Sequence, residues 1–151
     1  MPGTEVDLSE CPKSDYAVIV VKGEVDRPAA EIWPVIGGFF DLGRWLNVTC
    51  SAEAGEGSVG SVRRIGDAVV EPMIAATRYS YTYMQTEGPM APFRYHGTVA
   101  CEPTGEASAA IVYTLLYDQS SMDAARRASE RARIEARFAG AVEAMKQAVL
   151  A

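Results

Sequence analysis

Residues 123–151 carry apolar side chains at helical spacing, whereas most of the chain between Tyr16 and Asp118 is patterned for strands. A one-sided antiparallel sheet must cover its apolar face, and this chain offers one large element to do so. Ser120, Ser121 and Asp123 precede that element, and their side chains can accept hydrogen bonds from the free amides of a first helical turn. Ile134, Phe138, Ala141, Val142, Met145 and Val149 follow at intervals of three and four, on one face. At a rise of about 1.5 Å per residue the helix is roughly 40 Å long, enough to cross a whole sheet.

Ahead of it, Tyr16–Val25 is β-branched and reads as a first strand. Asp26, Arg27 and Pro28 open a short helix, with Asp26 or Arg27 at the cap and Pro28 in the first turn. Pro34 and the Gly37-Gly38 pair are expected to kink and end it, and a second short turn is expected between Phe39 and Trp45. Further strands are predicted over 47–54, 60–65, 69–76, 78–85, 94–102 and 109–118, with a tight hairpin at Gly66-Asp67. This order fits an α+β fold in which a curved seven-stranded antiparallel sheet wraps the long C-terminal helix, with short connections throughout. Such a sheet cannot lie flush on one helix over its full width. A gap is expected between the sheet, the two short helices and the long helix, and it would form an internal hydrophobic cavity. Residues 1–15, polar and carrying Pro2, Gly3 and Pro12, read as a loose leader, and 16–151 as a single domain.

Composition narrows the function classes. The chain has 151 residues, 48% apolar and 23% charged, which is globular and sized for one core. No apolar run approaches the roughly 18 residues of a membrane span, and the N-terminus lacks a signal-peptide pattern, so a cytoplasmic location is expected. A net charge of −6 weighs against nucleic acid. Arg126, Arg127, Arg131, Arg133 and Arg137 crowd the last helix, but Glu130 and Glu135 are interleaved with them, as on a solvated face. That face could also dock an acidic protein partner. Cys11, Cys50 and Cys101 are odd in number and far apart, which suggests neither a disulfide framework nor a zinc site. One histidine without a carboxylate cluster makes a metal site improbable, and no nucleotide-binding glycine motif is present, so no cofactor is expected.

The candidate chemistry lies on the strands. Glu71 sits between apolar neighbours and shares a face with Val69 and Met73. Burial raises a carboxyl pKa toward a value useful for proton transfer, unless an arginine on the neighbouring strand makes it a structural ion pair. Of Arg63 and Arg64, only one can face inward, and Arg63 shares its face with Ile65. Tyr79, Tyr81 and Tyr83 alternate onto one face, either as a packing stripe or as hydroxyl donors to a ligand oxygen. Histidine as a residue type can serve as acid or base near neutral pH, but His96 shares its face with Arg94 and Thr98, leaving Tyr95, Gly97 and Val99 as the inward set. Ile36, Phe39, Phe40, Trp45, Met73, Tyr113, Phe138 and Met145 are candidates for an apolar lining.

Taken in order, Arg27-Pro28-Ala29-Ala30-Glu31-Ile32-Trp33, Phe39-Phe40-Asp41-Leu42-Gly43-Arg44-Trp45, Gly57-Ser58-Val59-Gly60-Ser61-Val62-Arg63-Arg64, Val70-Glu71-Pro72 and Tyr79-Ser80-Tyr81 resemble the polyketide cyclase/dehydrase branch of the START and Bet v 1-like (SRPBCC) superfamily. The resemblance covers about residues 16–150. It implies the helix-grip fold, a hydrophobic cavity, and either a ligand carrier or a cofactor-free enzyme. It also singles out Tyr81, which holds the position most like the family pattern. Tyr113 stands where relatives often have tryptophan and could bring a hydroxyl to the cavity, and Pro34 interrupts a helix that relatives usually continue.

The expectation is therefore a cofactor-independent lyase, dehydratase or cyclase acting on a small aromatic or polyketide-like molecule. Glu71, Tyr81, Arg63 and His96 are its catalytic candidates. Tyr79, Tyr83, Tyr95, Tyr113, Trp45, Phe39, Phe40, Met73, Phe138 and Met145 are its substrate-binding candidates. The alternative is a non-catalytic carrier or sensor of a hydrophobic small molecule or lipid. A small aromatic or hydrophobic ligand is the expected partner, with a homodimer left open.

Overall fold

The computed structural model describes residues 15–151. The leader expected over 1–15 lies outside them except for Asp15, whose carboxylate accepts a hydrogen bond from Arg127 at 2.7 Å. Seven strands form one antiparallel sheet: β1 (Tyr16–Val25), β2 (Cys50–Ala54), β3 (Val62–Ile65), β4 (Val69–Thr77), β5 (Ser80–Met84), β6 (His96–Gly105) and β7 (Ser108–Asp118). Their spatial order is β1-β7-β6-β5-β4-β3-β2. Consecutive strands from β2 to β7 are neighbours, and β7 returns to pair with β1 along its whole length. Register shifts in β2, β4 and β6 each add a residue to one side of a ladder, which bends the sheet.

Helix α1 (Ala29–Ile36) follows β1. Pro28 is its N-cap residue rather than part of the first turn, and the helix runs through Pro34 to end before Gly37. The ring at Pro34 removes an amide only five residues beyond Ala29, so little of the hydrogen-bond ladder is lost. A 3-10 turn at Leu42–Arg44 is the second short helix, and another at Ala91–Phe93, not foreseen from sequence, precedes β6. The strand expected over 47–54 begins only at Cys50, because 46–48 is given over to a loop.

Helix α2 (Ala124–Leu150) packs across the concave face of the sheet. Asp123 caps it by accepting from the Arg126 amide at 2.8 Å. Ile134, Ala141, Val142 and Met145 are buried beneath it, with Phe138 half-buried, so the apolar stripe read from the spacing is the packed face. The second half of α2 seats closely on β1: a methyl group at Gly23 would lie 2.7 Å from Cγ1 of Val142. Between Arg133 and Ala141, α2 instead faces residues of β3, β4 and β5 across a cavity. This is the helix-grip fold, with its chamber at one end of the grip.

Candidate functional site

The chamber encloses about 520 Å³. Its floor is made by Arg63, Ile65, Val69 and Glu71 on β3 and β4, by Tyr83, Gln85 and Tyr95 around β5, and by Tyr113 on β7. Ile134, Phe138 and Ala141 of α2 form its roof. Asn47, Pro89, Arg133 and Arg137 line it and are exposed, so the mouth opens between the 46–48 loop, the 89–90 loop and α2.

Two polar assemblies occupy the floor. In the first, Arg63 and Glu71 are cross-strand partners on the β3–β4 ladder, 1% and 4% exposed. Arg63 donates to Oε1 of Glu71 from Nε at 3.0 Å and from Nη2 at 2.8 Å. Its Nη1 donates to the Phe39 carbonyl at 3.1 Å and to the Tyr81 hydroxyl at 3.2 Å. The guanidinium lies 4.4 Å from the Phe39 ring centre and 4.5 Å from that of Tyr83, so aromatic faces as well as a carboxylate compensate its burial. Oε2 of Glu71 receives only a long bond from Gln85 at 3.4 Å. Burial pushes the Glu71 carboxyl above its ordinary value, and Arg63 draws it part of the way back.

The second assembly is a cluster of phenols. The Tyr83 hydroxyl lies 2.9 Å from that of Tyr95 and 2.6 Å from that of Tyr113, all buried. Burial holds all three well above the ordinary phenol value, so they keep their protons. Three hydroxyls carry three protons, and the two contacts between them use two. Whichever way the chain of donors runs, one O–H remains to donate to something outside the cluster.

Strand alternation directs Arg63, Glu71, Tyr83 and Tyr95 toward a chamber, the expected apolar lining adds Tyr113 and Phe138, and all six line it. Tyr81 is buried behind the wall, where its hydroxyl accepts from Arg63 and its ring packs against Tyr83. Tyr79 lies outside the wall: β5 begins at Ser80, so Tyr79 belongs to the preceding turn and its ring sits beneath Arg78 at 5.0 Å. His96 points to the other side of β6, where Nδ1 pairs with the Arg94 carbonyl at 2.7 Å. Phe39, Phe40, Trp45, Met73 and Met145 pack in or against the core without lining the chamber. Phe39 is taken up by Arg63 and Tyr81, and the indole Nε1 of Trp45 is buried with no partner among the described residues.

Sequence reasoning missed Gln85, Arg133 and Arg137. Gln85 lies just past β5, and it joins the loop to the floor by accepting from the Met90 amide at 2.8 Å. The two arginines each precede a residue of the apolar stripe, Ile134 and Phe138, and that spacing was the signal available. The remaining arginines of α2 do form a solvated face: Arg131 pairs with Glu135 at 3.0 Å and Arg127 with Asp15 at 2.7 Å. Among the described residues no three His, Cys, Asp or Glu side chains gather as a metal site, and no helix is long and apolar enough to cross a membrane.

Known structures share this arrangement. A protein from Nitrosospira multiformis superposes with a TM-score of 0.74 at 17% identity, covering 87% of this chain and 94% of that one. Norcoclaurine synthase from Thalictrum flavum, solved with dopamine and hydroxybenzaldehyde, gives 0.69 at 20% identity, covering 91% of this chain and 88% of that one. Ara h 8.0201 gives 0.67 at 13% identity, over 90% and 99%. At such identities the likeness concerns the fold. No curated protein matches the sequence. The family model described as polyketide cyclase / dehydrase and lipid transport matches residues 17–149, and the chain belongs to that family.

Proposed function

We propose that the protein binds a small aromatic or polyketide-like molecule in this chamber and moves protons within it without a cofactor, as a lyase, dehydratase or cyclase. The observation that carries this reading is the phenol cluster, which has one O–H more than its internal contacts use and whose three tyrosines line the same chamber as Glu71. A substrate carbonyl accepting that bond is polarised. A C–H bond beside the carbonyl then breaks, its electron pair moving to the oxygen as an enolate while Oε2 of Glu71 takes the proton. In a dehydration the electron pair returns to expel hydroxide, which leaves as water with the proton from Glu71. In a cyclisation the enolate carbon attacks a second carbonyl of the same molecule, and the proton passes to the new alkoxide. Arg63 holds the carboxylate in place and Tyr81 steadies Arg63, so both are positioning residues.

A carrier or sensor of a hydrophobic molecule is the second reading. It draws on the mutual satisfaction of Arg63 and Glu71, an arrangement that needs no ligand. Native mass spectrometry of the purified protein, then a thermal-shift screen of phenolic and polyketide-like compounds with product analysis of every hit, separates the two. Conversion that Glu71→Gln abolishes without weakening binding supports the enzyme. A compound that stabilises the protein and returns unchanged supports the carrier.

A further inference from the structure

We infer that the ligand is an organic anion, an apolar, oxygen-bearing body ending in a carboxylate that pairs with Arg137 at the mouth. This rests on the reading of the chamber as a small-molecule site and adds the ligand's charge and direction of entry. Three guanidinium groups, Arg63, Arg133 and Arg137, line the chamber against one carboxylate, Glu71, in a chain whose net charge is −6. Arg63 is occupied by Glu71, and Arg133 by Glu130 at 2.7 Å. Arg137 has neither a carboxylate nor a hydrogen-bond acceptor as partner among the described residues, although it borders Phe138 of the roof. Its charge is felt inside, since it is among the groups that draw the Glu71 carboxyl down against the dominant effect of burial.

The orientation follows from the same charges. Glu71 repels a carboxylate from the floor, where the nearby Arg63 guanidinium is already paired with it. The mouth has the reverse character, an exposed guanidinium without a carboxylate partner among the described residues, in a chamber also lined by the apolar Leu46, Val48 and Pro89. One free guanidinium matches the planar, singly charged fork of a carboxylate better than a phosphate of nearly twice the charge. With its acid end at Arg137, the ligand's body lies under Ile134 and Phe138, and its far oxygen accepts from the tyrosine cluster.

The probes are para-coumarate and its methyl ester, which share an aromatic body and a phenol and differ in charge. Affinities are measured by titration calorimetry at neutral pH for the full chain, for Arg137→Gln, and for Arg126→Gln, which alters a helix arginine lying over Phe93 outside the chamber wall. The expected result is that the acid binds about tenfold more tightly than the ester, a difference worth about 1.4 kcal/mol. Arg137→Gln should remove that preference and leave the ester unchanged, and Arg126→Gln should preserve it. Equal binding of acid and ester, or a preference that survives Arg137→Gln, overturns the inference while leaving the chamber a ligand site. Binding of neither compound removes the aromatic-ligand reading and this inference with it.

Discussion

Arg63 and Glu71 face each other across the β3–β4 ladder, and the guanidinium places two hydrogen bonds on a single carboxylate oxygen, leaving the other with only the long bond from Gln85. The pair thus has a structural half and a half that borders the chamber. Removing the carboxylate leaves a buried cation whose remaining acceptors are a carbonyl and a phenol. Glu71→Ala should therefore lower unfolding stability by about 3–5 kcal/mol. Glu71→Gln retains an acceptor oxygen and should lose less. Urea unfolding monitored by circular dichroism measures both, and equal losses in the two variants would show that the acceptor, rather than the empty space, is irrelevant.

The phenol cluster sets an alkaline limit on the fold. Tyr83, Tyr95 and Tyr113 are held well above the ordinary value of 10.0, chiefly by burial. Their folded pKa values exceed the unfolded ones, so their contribution is whole below pH about 10 and is lost as pH rises through the interval above it. The folded protein keeps protons there that the unfolded chain gives up. Tyrosinate absorbance from these residues should appear together with loss of near-UV circular dichroism, in one cooperative step. Gradual ionisation with the native spectrum intact would contradict the burial and the hydrogen bonds described for them.

His96 offers the contrasting case. It pairs with Met84 and Leu116 across its strand, and its ring nitrogen is satisfied by the Arg94 carbonyl away from the chamber. His96→Ala should change stability by no more than about 0.5 kcal/mol and leave ligand affinity and any turnover at the wild-type level. Thermal melting and the same titrations used for the ligand check this. A loss of turnover in a stable His96 variant would move the chemistry to the other face of β6.

Strand periodicity made the floor of the site legible. A period of two favours Arg63, Glu71 and Tyr95 as inward and sets His96 on the more polar face, yet leaves His96 among the catalytic candidates; in the fold antiparallel pairing brings Arg63 opposite Glu71, and His96 turns away from the chamber. The aromatic residues after α1 were harder to assign, because Phe39, Phe40 and Trp45 lie on loops and short turns with no period to say which way each points. Phe39 turned onto Arg63, a demand visible only once the guanidinium is known to be buried. Tyr79 followed the alternation of its neighbours in sequence, but the strand starts one residue after it. Charge pattern assigns Arg137 to a solvated face, whereas its place beside Phe138 of the helical stripe makes it a border residue of the chamber.

Gly97 holds the phenol cluster in position by having no side chain. It is the cross-strand partner of Tyr83 on the β5–β6 ladder, and the Tyr83 ring lies flat across it. A methyl group there would overlap Cζ and Oη of Tyr83 and come within 2.6 Å of Cε1. An exposed tyrosine could swing away at little cost. This one is tethered at its hydroxyl to both Tyr95 and Tyr113 and stacked against the Arg63 guanidinium, so relief requires breaking those contacts or shifting β6. Gly97→Ala should accordingly cost about 1–3 kcal/mol, despite the higher strand propensity of alanine over glycine. It should also weaken binding of oxygen-bearing ligands more than binding of purely apolar ones, because the displaced hydroxyl is the junction of the donor chain. Denaturant unfolding gives the first quantity, and paired titrations with a phenol and the corresponding unsubstituted aromatic give the second. If Gly97→Ala lowered affinity for both compounds equally, the change would be one of chamber shape, and the cluster would have no part in recognising oxygen.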